Sequence, residues 1–179
     1  GHGVDIAIRL GNGDYPGLTS TLLLKEHVFP VCSPVFLARH ENLKTPADLV
    51  DVPLLLRLGD PAHPNWEDWF KKAGVGDVSP SEGTRFPDSN MALQAAKEGL
   101  GVALARTAHV SDDLTAGNLV RLFDVDHRSS VSYYLVCPEA MSEKPRIVAF
   151  RDWLLAEAKI AQDEYDKTAS VRLASAGIG

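Results

Sequence analysis

Residues 86–104 read FPDSNMALQAAKEGLGVAL, and this stretch indicates the fold class because it joins a strand end, a helix and a second strand. Asp88, Ser89 and Asn90 carry short oxygen-bearing side chains, which are favoured where a helix begins. Three alanines and a glycine then recur at helical spacing, so one face of the helix is nearly bare and can lie close to a sheet. The glycines at 99 and 101 end the helix, and residues 102–104 are typical of a buried parallel strand.

The start of this helix is also a candidate ligand site. A helix that begins at the carboxyl edge of a strand directs free N–H groups and the positive end of its dipole into the crevice there. Such a crevice can hold a carboxylate or another polar group of a ligand. The three polar residues also suffice as simple helix caps, and the stretch alone leaves both interpretations open.

The composition is that of a soluble globular chain. It has 179 residues, enough for one domain or two small lobes, with 45% hydrophobic and 23% charged residues. A formal charge of −6 argues against a nucleic-acid surface, which is usually basic. We predict that Cys32 and Cys137 are reduced thiols, because their spacing fits no metal or redox motif. The sequence has no apolar run long enough to span a membrane and no secretory signal, so we predict a cytoplasmic protein.

The first strand leads into a glycine-rich loop. Residues 4–9 have the pattern of a buried strand, and residues 10–18 form a tight loop with the spacing Gly-x-Gly-x-x-x-Gly and a proline inside. This spacing, with no helix after it, fails the dinucleotide fingerprint, and we assign the loop no phosphate role. Arg9 lies where the strand gives way to the loop and is either a ligand contact or a surface cation.

Further strands and helices alternate along the chain. We predict strands at residues 26–32, 53–58, 119–123 and 130–137, and helices that start after Ser33, Thr45 and Asn65 and near Ala108. Trp66 and Phe70 share one face of the third helix and are expected in the core. His63, between two prolines, is a weak pocket candidate. A last helix from Pro145 carries an apolar stripe, and residues 166–179 have no clear apolar pattern, which predicts a disordered tail.

The order and spacing of several segments resemble the effector domain of LysR-type transcriptional regulators, in the branch of the glycine-cleavage and β-lactamase activators. The resemblance covers residues 4–158 and lies in Asp5–Arg9 with Gly11–Leu18, Phe29–Pro34, Trp66–Phe70, Phe86–Leu104, Tyr133–Pro138 and Phe150–Leu155.

The resemblance implies an α/β fold like that of periplasmic binding proteins, with two Rossmann-like subdomains joined by two crossover strands and the first subdomain incomplete. It divides the chain into residues 4–29 (part of subdomain I and the first crossover), 30–129 (subdomain II) and 130–165 (the second crossover and the rest of subdomain I), with 166–179 as the tail. The two crossover strands would run antiparallel with the cysteines at opposite ends, which argues against a disulfide.

The predicted ligand site lies between the subdomains. We expect a small polar effector, such as an amino acid, a carboxylate or a muropeptide, to contact residues from four parts of the chain. These are Arg9, Gly11 and Asn12 in the first loop, Ser33 at the hinge, Ser89 and Asn90 at the helix start, and Tyr133 or Tyr134 on the return strand. We expect Arg9 to bind an anionic group of the effector. The alternative is that Arg9 pairs with Asp14 or Glu26 and does not contact the effector.

The chain lacks the sequence signatures of common enzymes. It has no Gly-x-Ser-x-Gly elbow, Walker loop or His-Glu-x-x-His motif, and its six histidines are scattered without ligand spacing. We therefore predict no catalysis, no cofactor and no metal. The resemblance implies an effector-sensing domain that would control DNA binding through the family's N-terminal helix-turn-helix, which we expect to be absent from this chain. A periplasmic solute-binding protein is the alternative, and a small α/β enzyme is a third.

The beginning of the chain adds one more expectation. It opens abruptly with a strand after Gly1-His2-Gly3, which predicts a fragment without the family's opening strand and helix. An uncovered strand would leave backbone groups and apolar side chains exposed, and we expect the fragment to form homo-oligomers.

Overall fold

The computed structural model describes residues 6–58, 62–80 and 82–176, with side chains up to residue 167. The strands are β1 (Ala7–Gly11), β2 (Leu18–Cys32), β3 (Leu54–Arg57), β4 (Thr84–Phe86), β5 (Val102–Arg106), β6 (Val120–Arg121) and β7 (His127–Pro138). The helices are α1 (Pro34–Arg39), α2 (Trp66–Lys72), α3 (Ser89–Lys97), α4 (Thr107–Ala116) and α5 (Pro145–Ala176), with 3₁₀ turns at Pro46–Asp51 and Glu139–Met141.

One mixed sheet holds these elements together. Its order is β1-β7-β2-β5-β3-β4, with β6 paired to β2. The strands β3, β4 and β5 run parallel and form the parallel half of the sheet. The antiparallel half consists of β1, β7 and the beginning of β2. The end of β2 pairs with β5 and β6, so this long strand belongs to both halves.

Two hydrophobic clusters bury the two faces of the parallel half. One contains Trp66, Trp69 and Phe70 from α2, all of them buried. The other contains the alanine face of α3 and Phe29 of β2. The predictions of a core α2 and of a close-packed α3 are therefore confirmed. Each fully buried aromatic side chain contributes on the order of 1.5–3 kcal/mol to folding, so α2 is a main anchor of this half.

Local capping determines where the helices begin. The Ser33 hydroxyl accepts a hydrogen bond from the Phe36 N–H at 3.0 Å, and Pro34 follows at the first helical position. The Asp88 carboxylate accepts from the Met91 N–H at 2.9 Å at the start of α3. The predicted starts of α1 and α3 are confirmed.

The cysteines also lie where the sequence placed them. Strands β2 and β7 are antiparallel, with Thr19 opposite Cys137, whereas Cys32 pairs with Val120 at the other end of β2. Both thiols are buried and free, which confirms the prediction that no disulfide joins them.

Strand β1 and helix α5 differ from the sequence expectations. β1 was predicted to be buried, but Ile8 is 54% and Leu10 41% exposed, because in the part of the chain that the structure describes no helix covers their face. Val4 and Asp5 lie outside the described residues. In α5, Ile147 is buried whereas Phe150 is 41% exposed, so only part of the predicted stripe is covered. This helix continues to Ala176, past the point at residue 166 where a tail was predicted to begin.

Candidate functional site

The parallel half of the sheet presents one edge at which several polar elements converge. β3 ends at Arg57, β5 ends at Arg106, and β4 leads into the start of α3 at Ser89. Because the three strands are parallel, these ends lie at the same side of the sheet, which we call the carboxyl edge. Ligands of open α/β sheets bind in the crevice outside this edge.

A cavity of about 350 Å³ opens at the carboxyl edge. Its apolar wall includes Trp66 and Leu104, and its polar lining includes Arg57, Arg85, Glu67 and Ser89. A concave site of this size, with a few convergent polar groups on an apolar wall, suits a small molecule. Among the described lining residues, the two guanidinium groups and one carboxylate favour a ligand that carries an anionic group together with hydrogen-bond donors.

Backbone contacts fix Arg57 in this cavity. Its Nη2 donates to the carbonyl oxygens of His63 at 3.1 Å and Pro64 at 3.3 Å. These contacts join His63 and Pro64, in the described part of the segment between β3 and α2, to the end of β3.

The carboxylate of Asp88 lies at the start of α3. The Asp88 carboxylate accepts the Met91 N–H, so it occupies part of the site that a ligand carboxylate would need. Ser89 is nearly buried and lines the cavity, and its hydroxyl can both donate and accept. The arrangement therefore places a neutral hydrogen-bonding group at Ser89 and leaves the anion of a ligand to the arginines.

A second group of polar side chains lies beside the cavity, where β2, β5 and β7 meet. We call Glu26, His63, Arg106, Ser129 and Tyr133 the polar junction. Arg106 Nη1 lies 2.7 Å from His63 Nε2, and His63 Nδ1 lies 2.8 Å from the Ser129 hydroxyl. A guanidinium can only donate, so His63 Nε2 accepts and Nδ1 carries the proton toward Ser129.

Arg106 also holds a second imidazole. Its Nη2 lies 2.8 Å from His109 Nδ1. Burial, and then the charge of Arg106, lower the pKa of His109. Because a guanidinium can only donate, the His109 ring accepts this hydrogen bond. Arg106 is thereby fixed at the end of β5 by rings from two different segments.

Glu26 ties the first long strand to this junction. Its side chain is fully buried, and Oε1 accepts a hydrogen bond from the Ala108 N–H in α4 at 3.2 Å. Burial raises the pKa of the Glu26 carboxyl, against the opposing effects of the Ala108 N–H and the Arg106 charge. Burial, and then the charge of Glu26, raise the pKa of Tyr133 on β7. The polar junction thus connects both long strands to the carboxyl edge.

The structure brings together only some of the predicted site residues. Ser89 lines the cavity, Asn90 is exposed beside it on α3, and Tyr133 faces the polar junction. Ser33 lies at the opposite edge, because β2 runs antiparallel to β5 and ends beside its amino end. There the hydroxyl of Ser33 caps α1 and lies beside Gly99.

The remaining predicted residues gather on the antiparallel half. The Arg9 guanidinium lies 5.7 Å from the centre of the Tyr15 ring, and Asn12 accepts a hydrogen bond from the Asp14 N–H at 2.9 Å. Gly11 leaves room for the Tyr15 hydroxyl, where a Cβ would clash. Tyr134 packs edge-on against Tyr15, on the face of β7 opposite to Tyr133. None of Arg9, Gly11, Asn12 and Tyr134 is among the described residues that line the cavity.

Sequence reasoning missed Arg57 and Arg106 as site residues. Both are cations at the end of an apolar strand, and that position is the signal by which they could have been found. Glu26 gave no such signal, since the N–H group that it binds belongs to Ala108, which is far away in the sequence.

Two features are absent from residues 6–58, 62–80 and 82–176. Among those residues no helix has the length and apolar character needed to cross a membrane. No three His, Cys, Asp or Glu side chains in the same ranges are grouped so that they could hold a metal ion.

The chain is similar in sequence to known transcriptional regulators. Residues 1–159 match the family model of the LysR substrate binding domain. The glycine cleavage system transcriptional activator of Escherichia coli (strain K12) is 38% identical over 162 residues, which cover 90% of this chain and 52% of that protein. The transcriptional activator AmpR of Pseudomonas aeruginosa is 33% identical over 159 residues, 88% of this chain and 51% of that protein. The chain therefore spans about half the length of the curated relatives it matches.

A solved structure shares the fold. The effector domain of AmpR from Pseudomonas aeruginosa superposes with a TM-score of 0.66 and 31% identity, and the match covers 90% of this chain and 76% of that one.

Proposed function

Because the chain belongs to the LysR substrate-binding domain family, we propose that it senses a small polar metabolite on behalf of a bacterial transcriptional regulator. The effector binds at the carboxyl edge, and the DNA-reading part of the whole protein responds. The regulator acts in the cytoplasm as a homo-oligomer, and it catalyses no reaction.

The observation that carries the proposal is the cavity at the carboxyl edge. It combines Arg57, Arg85, Glu67 and Ser89 in one concave site. The polar junction lies beside it and touches both long strands, so a ligand that changes the position of Arg57 or His63 also acts on β2 and β7. A ligand that binds one arrangement of the domain more tightly than another shifts the equilibrium between them, by as much as its two affinities differ.

The charges of the cavity indicate the class of effector. The anionic group of the ligand binds to Arg85 and Arg57, its donors face Glu67, and Ser89 completes the site with a neutral hydrogen bond. An amino acid, a small carboxylate with donors, or a muropeptide has this combination. The first-loop residues Arg9, Gly11 and Asn12, together with Tyr134, remain a proposed second wall, which a relative movement of the two halves would bring to the ligand.

The alternative function, a periplasmic solute-binding protein, shares the fold. The relatives reported above are transcriptional activators, and the solved neighbour is an effector domain of such a regulator. This favours gene regulation over solute transport.

The test is a thermal-shift screen of amino acids, carboxylates and muropeptides against the whole regulator. A ligand at 100 times its Kd stabilises the protein by about 2.7 kcal/mol, which shifts the melting temperature by several degrees. The hit is then titrated against Ser89→Ala and Arg85→Gln. The matched control is Arg39→Gln, an exposed arginine at the end of α1. We expect both cavity variants to bind more weakly and the control to bind like the parent, whereas equal binding by all three would contradict the proposed site.

A further inference from the structure

Helix α5 is fastened to the parallel half through one buried arginine. The side chain of Arg121, on β6, is only 2% exposed. Its Nη1 donates to the Tyr165 hydroxyl on α5 at 2.6 Å. A hydrogen bond from a charged group is stronger than a neutral one, and burial increases its weight.

Two aromatic rings enclose the guanidinium. Its central carbon lies 4.7 Å from the centre of the Phe29 ring and 5.2 Å from that of Tyr165, and the two rings are 5.3 Å apart. Phe29 lies on β2, so Arg121 joins α5 to the strand that is shared by both halves of the sheet. Stacking of this kind is attractive when the cation is desolvated.

A carboxylate completes the contact. Asp126 Oδ2 lies 3.6 Å from Arg121 Nη2, accepts a hydrogen bond from the Tyr165 hydroxyl at 3.3 Å, and is 3.5 Å from His27 Nδ1. The neighbouring His27 lowers the pKa of Asp126 in spite of the partial burial of this carboxyl, and the charge of Arg121 acts in the same direction. The charge of the buried arginine is thereby balanced, and β2 is held a second time, at His27.

The other end of α5 belongs to the antiparallel half. The helix follows β7 directly through the 3₁₀ turn, and the Glu139 N–H donates to the Gly17 carbonyl just before β2 begins. Ile147 is buried in its first turn. The 19 residues from Ile147 to Tyr165 form one unbroken helix, and its 18 steps span about 27 Å. A single rigid element therefore contacts both halves.

From this geometry we propose that Tyr165, Arg121 and Asp126 form a latch by which α5 holds the two halves of the molecule at a fixed angle. Rotation of the halves about β2 and β7 requires the latch to open or α5 to bend. The latch therefore resists the motion by which the domain responds. This last step rests on the proposed function, whereas the latch itself can be tested without any effector.

The experiment compares Tyr165→Ala, Tyr165→Phe and the parent in the whole regulator without ligand. Spin labels at Lys72→Cys on α2 and Glu139→Cys after β7 report the distance between the halves, in subunits diluted with an excess of unlabelled ones. Both introduced cysteines are at exposed positions, whereas Cys32 and Cys137 are buried. The spin label is therefore expected to react with the introduced cysteines. Amide hydrogen exchange of α5 is measured in parallel.

We expect Tyr165→Ala to broaden the distance distribution and to accelerate exchange in α5 around residue 165 by more than about tenfold, because a hydrogen bond to a charged group is lost with the stacking. Tyr165→Phe keeps the ring and should have a smaller effect in the same direction. Glu157→Ala, at an exposed position of the same helix, is the matched control and should leave both measurements unchanged.

Each other outcome also decides the question. An unchanged distance distribution in Tyr165→Ala overturns the latch, even if exchange in α5 accelerates, because the helix end would then fray without holding anything. If Tyr165→Ala unfolds, as judged by fluorescence of the buried Trp66 and Trp69, then Tyr165→Phe and Asp126→Asn decide. An effector response that persists unchanged although the distances broaden would support the latch and contradict its role in signalling.

Discussion

Replacing Ser33 and Ser89 by alanine, one at a time, distinguishes a side chain that stabilises the fold from one that contacts the effector. Ser33 lies between β2 and α1, Ser89 is the first residue of α3, and both were predicted from the sequence to line the cleft. The structure places them at opposite edges of the parallel half. Their removal should therefore affect different properties of the protein.

Ser33→Ala should lower stability and leave effector binding unchanged. The hydroxyl accepts the Phe36 N–H at 3.0 Å in a buried site, and loss of such a cap costs about 0.5–2 kcal/mol. For a chain of this size, 1 kcal/mol corresponds to roughly 2–4 °C in the melting temperature. The expected decrease is therefore a few degrees, with the Kd of the effector unchanged.

Ser89→Ala should do the reverse. Asp88, and not Ser89, supplies the cap of α3, so the helix keeps its hydrogen bond when the Ser89 hydroxyl is removed. A lost neutral hydrogen bond to the effector costs about 0.5–1.5 kcal/mol, which weakens binding by roughly two- to tenfold. The change in melting temperature without ligand should be small.

The assay combines thermal unfolding of the whole regulator with calorimetric titration of the hit from the screen, for both variants under the same conditions. The reasoning is refuted if Ser33→Ala weakens effector binding while its melting temperature stays that of the parent, or if Ser89→Ala leaves the affinity unaltered. The first result would place the effector near Ser33, at the opposite edge of the sheet, and the second would remove Ser89 from the effector site.

Further substitutions test the other features. Arg9→Ala should weaken effector binding by about 1.5–3 kcal/mol if the first loop forms the second wall, and an unchanged effector response would remove Arg9 from the site. Because the pKa of Glu26 is raised in the folded state, the folded protein binds this proton more tightly than the unfolded chain does. The stability that results is fully present below the ordinary pKa of 4.5. It is lost as the pH rises through the pKa of Glu26 in the folded state. Glu26→Gln should therefore reduce the fall in the free energy of unfolding between acid and neutral pH. The measurement is urea unfolding at several pH values, and the same pH dependence of this free energy in both proteins would contradict the prediction. Leu10→Lys should reduce self-association of this chain in light scattering, because Leu10 contributes to the exposed apolar surface of β1, and a parent that is already monodisperse and monomeric at micromolar concentration would argue against an interface there.

The elements that the sequence predicted well are those with local causes. The starts of α1, α2 and α3 follow from a capping side chain three residues before its partner N–H, and such contacts are visible as short motifs. The alanine face of α3 and the aromatic face of α2 likewise follow from helical spacing alone.

The features that were missed depend on the direction and the neighbours of a strand. The motif at Ser33 resembles that at Ser89, but β2 runs antiparallel to β5, so the two serines point to opposite edges. Strand direction is a property of the whole sheet and has no local signal. The exposure of Ile8 and Leu10 has the same origin, because an apolar pattern does not show whether another element covers it.

The path of β2 also has a consequence for the order in which the chain can fold during synthesis. The beginning of β2 pairs with the end of β7, with Leu18 opposite Pro138. The parallel half, by contrast, is built mainly from the continuous segment between Pro34 and Arg121. As the ribosome produces the chain from its amino end, that segment can become compact at once, whereas β1 and the first part of β2 must wait for β7 to emerge. During this interval Ile8 and Leu10 of β1 are still without β7, the strand with which β1 pairs in the folded domain.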